Sequence, residues 1–144
     1  MIEYRRYLDN YVFHPTPHEI LSLKEIDDKE LQSAIDLFQE ELNWDGMWSV
    51  EDAKQRIKDG WLFCVLRIDD KIRGWYWLNY EANESFNLYI HENFRGRGYG
   101  FGLISYIITA AKLRQLEYVI AKIDEWNGIS KRLLIRCGFE VYIQ

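Results

Sequence analysis

Arg95-Gly96-Arg97-Gly98-Tyr99-Gly100 sets three glycines in five positions with two arginines beside them. Glycine tolerates a left-handed backbone and lets a chain come close to a ligand. Successive N–H groups in such a loop converge on one point, and a helix starting there adds the unpaired N–H groups and positive dipole end of its first turn. The chemistry on offer is the grip of an anion, a pyrophosphate above all. The apolar run at 86–90 reads as a strand entering the loop, and the residues after Gly100 as an amphipathic helix leaving it.

Other phosphate motifs fail here. The dinucleotide fingerprint G-x-G-x-x-G needs glycine at 101 or 103 and meets Phe101 and Leu103. The nucleotide-triphosphate loop needs Gly-Lys followed by Ser or Thr, a tripeptide the chain lacks. A glycine-rich surface turn and an Arg-Gly patch for nucleic acid remain as alternatives for the loop taken alone.

A second pattern begins 27 residues after Gly100: Asn127-Gly128-Ile129-Ser130, a short helical stretch to Cys137, then Gly138-Phe139. Together the two patterns resemble the Gcn5-related N-acetyltransferase (GNAT) superfamily. Leu88, Ile90, Phe94, Arg95, Gly96, Gly98, Gly100 and Leu103 keep the spacing of its motif A, and Asn127, Ser130, Gly138 and Phe139 that of motif B. The likeness covers residues 19–144 and is most specific over 86–103 and 127–139.

The resemblance implies an α/β sandwich, a mixed, mostly antiparallel central sheet of about six to seven strands flanked by about four helices. It implies transfer of the acetyl group of acetyl-coenzyme A (acetyl-CoA) to a primary amine of a small molecule or protein, by direct attack. The alternative is a non-catalytic acyl-coenzyme A-binding module of the same fold. Backbone N–H groups from Gly96 to Gly100, Tyr99 included, would hold the pyrophosphate with Arg95 and Arg97. Leu88, Tyr89 and Ile90 would offer backbone groups to the pantetheine arm as to an added strand, one N–H polarising the thioester carbonyl. Asn127 and Ser130 would stand beside that arm, Asn127 hydrogen-bonding to it, although without the motif an Asn after a strand is a helix cap.

An amine whose solution pKa is near about 10.4 must lose a proton in this reaction. Glu84, eleven residues before Arg95, stands where histone-acetylating members of the family place their base, while strand-end glutamates are otherwise solvated. Glu125, after a strand beside the expected cleft, and Asp45, in a loop that often borders the acceptor, are further candidates. Trp44, Met47 and Trp48 would wall the acceptor pocket or pack as core. His91 reads as incidental at a strand end, and His14 and His18, with no spaced Cys or carboxylate partners, give no metal site.

The chain departs from the family pattern twice. Motif B usually carries a tyrosine four residues before Gly-Phe, the candidate acid for the departing thiolate, and here Leu134 stands there. A thiol of pKa about 8.5 leaves tolerably without an acid, so catalysis is still expected. Second, Gln144 comes five residues after Phe139, where the family continues through a strand and a hairpin into a last strand. Residues 1–18 read as an N-terminal extension to a domain at 19–144, with strand-compatible runs at 3–8 and 11–13 that could fill the open sheet position, from their own chain or from the partner in a homodimer.

These roles need elements to carry them. Residues 20–26 read as a first strand, and Asp27 or Asp28 caps a helix whose Leu31, Ala34, Ile35, Phe38 and Leu42 recur at helical spacing. Ser49 and Asp52 form a capping box for a second helix, with Val50, Ala53 and Ile57 inward and Gly60 as its stop. Strands at 61–68 and 72–80 flank an Asp69-Asp70-Lys71 turn, and a third at 84–90 enters the glycine loop. Leu103, Ile107, Ala110, Ala111 and Leu113 make the core stripe of the next helix, followed by a strand at 117–124. Strand, two helices, three strands, helix, strand, helix, strand describes an α/β sandwich around a mixed sheet.

Composition agrees. A chain of 144 residues, 48% hydrophobic, suits one domain without internal repeats or linkers. A net charge of −5 and a pI of 5.2 speak against general affinity for nucleic acid. Cys64 and Cys137 stand far apart and read as buried free thiols, which suits a reducing cytoplasm. The longest mostly apolar run, 101–111, is too short to span a bilayer, so no membrane partner is expected.

Overall fold

The computed structural model describes residues 1–13, 15–42 and 49–144, the side chains of 23, 38, 41 and 42 excepted. Seven strands form one sheet: β1 (Ile2–Tyr7), β2 (Glu19–Ser22), β3 (Leu62–Ile68), β4 (Lys71–Asn79), β5 (Glu84–Ile90), β6 (Tyr118–Ile123) and β7 (Glu140–Val141). Their order is β2-β3-β4-β5-β6-β1-β7, antiparallel except for the parallel pair of β5 and β6. Helices α1 (Asp28–Leu42) and α2 (Val50–Lys58) pack on one face, and α3 (Tyr99–Leu113) and α4 (Gly128–Arg136) on the other. This is the mixed, mostly antiparallel α/β sandwich that the family resemblance implies.

Strand alternation builds the two cores, because successive side chains point to opposite faces. Cys64, Leu66, Tyr76 and Leu78 pack with Leu103, Ile104, Ile107 and Ile108 of α3. Phe63, Val65, Trp75 and Trp77 pack with Leu31, Ala34 and Ile35 of α1 and with Val50 and Ala53 of α2. Both faces are covered, which is why the central strands read as nearly continuous apolar runs.

Local signals explain the boundaries. Asp27 Oδ1 accepts from the Glu30 N–H at 2.7 Å and so caps α1. Ser49 and Asp52 exchange the two hydrogen bonds of a capping box at the start of α2, 3.0 and 3.1 Å long. Asp69 and Asp70 take positive φ, 51° and 63°, as a two-residue hairpin turn requires.

Several expectations are corrected. The first strand stops at Ser22, whose N–H donates to the Glu25 carboxylate at 2.9 Å, and residues Leu23–Glu25 turn as a 3-10 helix. Leu113 is 81% exposed: two residues past the buried Ala111, about 200° of helical rotation, carry it to the outer side, and Ile104 and Ile108 complete the stripe instead. Residues 11–13 form no strand; the Tyr11 hydroxyl bonds Thr109 Oγ1 at 2.7 Å while Val12 and Phe13 are exposed. Cys64 is a buried free thiol, but Cys137 is only half-buried. Phe38 and Leu42 side chains lie outside the described residues.

The N-terminal run enters the sheet as β1 and stands between β6 and β7. It pairs with β6 from Ile2 to Tyr7 and with β7 at Tyr4 and Arg5. Tyr4 and Leu8 are each 1% exposed, so this segment contributes to the core under α3 and α4. The open sheet position is therefore taken by the chain's own N-terminus.

Candidate functional site

β5 and β6 pair at Glu84 with Ile120 and at Ser85 with Ala121, and beyond those residues the strands part. β5 itself contributes to the parting. Between the Trp75–Tyr89 and Trp77–Phe86 pairs one extra residue of β5 is inserted, and Asn87, at φ 57°, marks the bulge. A bulge bends its strand and sharpens the local twist. The result is a cleft of about 190 Å³ between the two strands. Tyr76, Ser85, Ala121 and Leu134 are its buried residues, each at most 4% exposed, and Leu88, Lys122, Asn127 and Ser130 are among the others that line it.

From its open end β5 continues through a 3-10 turn, Glu92–Phe94, into the glycine loop. Gly96 and Gly98 adopt φ of 75° and 85°, the left-handed region that glycine fills at least cost. A Cβ built on either would meet no atom within 4 Å, so the loop faces open space. Gly98 is the N-cap of α3 and its carbonyl accepts from Gly102, which leaves the Tyr99 and Gly100 N–H groups ahead of the helix's own ladder. Gly100 serves packing instead: its Cβ would fall 3.0 Å from the Leu133 side chain of α4.

Cations gather here. Arg95 donates from Nε to the Ile90 carbonyl at 2.8 Å, and the guanidinium groups of Arg73 and Arg97 lie 5.1 and 5.7 Å from the Phe94 ring. Arg73 was not singled out by motif; pairing of β4 with β5 brings it to the loop, where His91 donates its N–H to the Arg73 carbonyl at 2.7 Å. Arg73 Nε is buried without a hydrogen-bond partner among the described residues. The Arg95 guanidinium lies 5.7 Å from the Tyr89 ring, and Arg73 also lines a hollow with Glu30, Asp36 and Glu40 of α1. The exposed backbone nest itself suits the pyrophosphate of a coenzyme A, and the gap between β5 and β6 suits its extended arm.

The structure brings Leu88, Asn127 and Ser130 to the same cleft. Asn127 also caps α4, its side chain accepting from the Ser130 N–H at 3.2 Å, so both readings of that residue hold geometrically. Tyr89 turns its ring to the opposite face, stacked on Trp75 at 4.8 Å, and Tyr99 packs its ring 4.4 Å from His18. Glu84 opens β5 beside the junction, half-buried, with its carboxylate 3.7 Å from Lys122 Nζ rather than simply solvated. Glu125 is exposed in the turn after β6 and does not line the cleft. His91 caps the 3-10 turn through Nδ1, a structural role. Trp44, Asp45, Met47, Trp48 and His14 lie outside the described residues.

Sequence reading passed over one buried polar pair. The Tyr76 and Ser85 hydroxyls are 2.6 Å apart, and Ser85 Oγ donates to the Ile120 carbonyl at 3.2 Å. Burial pushes the Tyr76 hydroxyl above the ordinary phenol range, and its bond to Ser85 opposes this only in part. A tyrosine between Trp75 and Trp77 and a serine beside Phe86 are the signal that could have found them.

Parted parallel strands, a glycine loop at the open end and a helix N-terminus beneath it are the features that mark this α/β fold. The family model described as the Acetyltransferase (GNAT) family matches residues 23–139, and the chain belongs to that family. Among solved structures, the ribosomal-protein-alanine N-acetyltransferase of Brucella melitensis is 22% identical, with a TM-score of 0.70 over 85% of this chain and 84% of that one. An aminoglycoside acetyltransferase from an uncultured soil metagenomic sample gives 18% identity and a TM-score of 0.71, covering 88% and 90%. Glucosamine-6-phosphate N-acetyltransferase of Arabidopsis thaliana gives 16% and 0.64, covering 90% and 96%. Identities this low establish the shared fold. No curated protein matches the sequence significantly. No helix among the described residues is long and apolar enough to cross a membrane.

Proposed function

We propose that this protein is an N-acetyltransferase that moves the acetyl group of acetyl-CoA to a primary amine. The observation that carries the reading is the parallel β5–β6 pair that parts after Ser85 and Ala121, with the glycine loop at the open end of β5. Bound acetyl-CoA would supply an electrophilic thioester carbon and a thiol of pKa about 8.5 as leaving group.

Each residue then has a task. Backbone N–H groups from Gly96 to Gly100 bind the pyrophosphate, with Arg95 and Arg97 adding charge. The edge of β5 at Leu88, Tyr89 and Ile90 holds the pantetheine arm as an added strand, and Asn127 and Ser130 flank it from α4. Glu84 accepts the amine proton, directly or through a water, with its carboxylate positioned by Lys122. Trp44, Asp45, Trp48 and Glu125 border the acceptor, a small molecule or a protein.

The second reading is an acyl-coenzyme A-binding module without chemistry, favoured by Leu134, which is 4% exposed where the family carries its tyrosine. Thiol release across a panel of amines, with acetyl-CoA binding followed by thermal shift, separates the two. Binding with release supports the enzyme, and binding without release from any amine supports the module. Absence of binding overturns both.

A further inference from the structure

Ser85 is the last residue of β5 that β6 still pairs, so its hydroxyl sits where the cleft begins. Tyr76 reaches the same point from β4, and Leu134 of α4 closes it with an apolar side chain. The hydrogen-bond directions are set by chemistry. Ile120 offers a carbonyl that can only accept, so Ser85 donates to it and the Tyr76 O–H donates to Ser85 Oγ. The two hydroxyls, 3% and 2% exposed, are the buried polar side chains among the described residues that line this cleft.

We propose that the Tyr76–Ser85 hydroxyl pair is the hydrogen-bond donor that stabilises the departing coenzyme A thiolate, in place of the tyrosine that Leu134 replaces. The inference rests on the acetyl-CoA reading of the cleft. From Ser85 to Ile90 β5 spans about 17 Å at roughly 3.3 Å per residue. An arm anchored by its pyrophosphate at the glycine loop and extended along this edge brings its sulfur toward the apex, where the pair stands. The Ser85 hydroxyl then turns from the Ile120 carbonyl to the sulfur, exchanging a neutral hydrogen bond of 3.2 Å for a charge-assisted one. The Tyr76 O–H polarises it from behind.

The pair donates a hydrogen bond and does not surrender a proton. Burial holds Tyr76 in its O–H form far above the pH at which a coenzyme A thiol ionises. The step balances accordingly. The amine nitrogen bonds to the carbonyl carbon, the carbon–sulfur bond breaks with its electron pair on sulfur, and the surplus amine proton passes to Glu84 or water. Sulfur leaves as thiolate and is protonated by solvent after release. Lys122 is the one charged side chain among the described residues lining the cleft; α4 offers Asn127, Ser130, Leu133 and Leu134, and β4 offers Tyr76.

The test uses the full chain and coenzyme A itself, whose thiolate is followed by its ultraviolet absorbance as pH is raised. In the wild type the bound thiol should ionise below the pH at which the unbound coenzyme does. Tyr76→Phe and Ser85→Ala should each move that ionisation up by about one pH unit, a tenfold change. Turnover with any amine that serves as acceptor should fall roughly 10- to 100-fold in the same variants, the span of a hydrogen bond to a charged group. Lys122→Met should leave the difference between wild type and Tyr76→Phe in place. A purely structural pair would lower the melting temperature without moving the thiol ionisation, and that result overturns the proposal. If Tyr76→Phe does not fold, Ser85→Ala decides by the same readout. Equal ionisation in wild type and variants that bind coenzyme A sinks this proposal alone, whereas a wild type that binds no coenzyme A sinks the acetyl-CoA reading and this proposal with it.

Discussion

The Arg6 guanidinium donates from Nε to the carbonyl of Cys137 at 2.9 Å, joining residues 131 positions apart. Through this bond β1 closes the C-terminal end of α4. The next residue, Gly138, has φ of 90°, and a Cβ there would lie 2.6 Å from Arg6 Nε. Glycine is thus required both by backbone and by the close approach of Arg6. Gly138→Ala is expected to lower stability by about 1–3 kcal/mol, read from urea denaturation. Tyr4→Ala, which empties a position 1% exposed in β1, is expected to cost about 3–5 kcal/mol. Wild-type midpoints in both variants would show β1 to be dispensable.

The glycine loop makes a separate prediction. Gly98→Ala keeps the space open, because the added Cβ meets nothing within 4 Å, yet forces an alanine to φ of 85° at the start of α3. The folded state should lose about 1–2 kcal/mol. The thermal shift produced by acetyl-CoA should shrink, and Gly98→Val should abolish it, since in the proposed site a branched side chain there would project toward the phosphates. A full shift in Gly98→Val would remove the loop from the cofactor site.

Under the proposed acetyl transfer, Glu84 is the base and also one half of an ion pair with Lys122. Glu84→Gln is expected to lower turnover by about 10²–10⁴ while coenzyme A affinity stays within a few-fold. Stability should change by no more than about 1 kcal/mol, because the partner Lys122 side chain is 44% exposed and its pair is screened. Unchanged turnover would pass the proton to water or to Asp45.

Alkaline pH should weaken the fold. Burial pushes the Cys137 thiol up to about 11, burial and then Glu25 push the Tyr106 hydroxyl up to about 12, and Cys64 and Tyr76 are raised by burial further still. Unfolded thiols titrate near about 8.5 and phenols near about 10. Below about pH 8.5 neither state is ionised at these groups and their contribution is intact. Above it the unfolded chain releases protons that the folded one keeps, at most about 1.4 kcal/mol per pH unit for each, less for the half-exposed Tyr106. Urea midpoints should hold to about pH 8 and decline toward pH 11. Cys137→Ser should make the decline shallower. A flat profile would show that these groups stay solvated.

Much of this was legible from local signals. The Ser49–Asp52 box and the positive φ of the glycines at 96 and 98 each act within a few residues and are found, and the Asp69-Asp70-Lys71 turn is found one residue shorter, Lys71 already pairing with Ile68 in β4. The place of β1 was not fixed by such signals, because its partners at 118–123 and 140–141 lie more than a hundred residues away. Leu113 misled for another reason: helical spacing marks a stripe, but only packing against the sheet shows where the stripe ends. Arg73 and the Tyr76–Ser85 pair acquire meaning only when β4, β5 and β6 are set side by side.

Leu134→Tyr separates the proposed enzyme from the binding module. Leu134 is 4% exposed and shares the apex with Tyr76 and Ser85. Leu134→Tyr adds a third hydroxyl at the apex, at the risk of overpacking, which commonly costs about 1–3 kcal/mol. Melting curves must therefore accompany the assay. In an enzyme that relies on the Tyr76–Ser85 pair, a folded Leu134→Tyr variant should turn over as fast as wild type or faster, and should lose less than wild type does when Tyr76→Phe is added, since either hydroxyl can then serve the sulfur. In a binding module neither wild type nor variant releases thiol, because one tyrosine creates no acceptor pocket. Slower turnover in a variant of unchanged melting temperature would mean that Leu134 shapes the path of the thioester instead of merely replacing an acid.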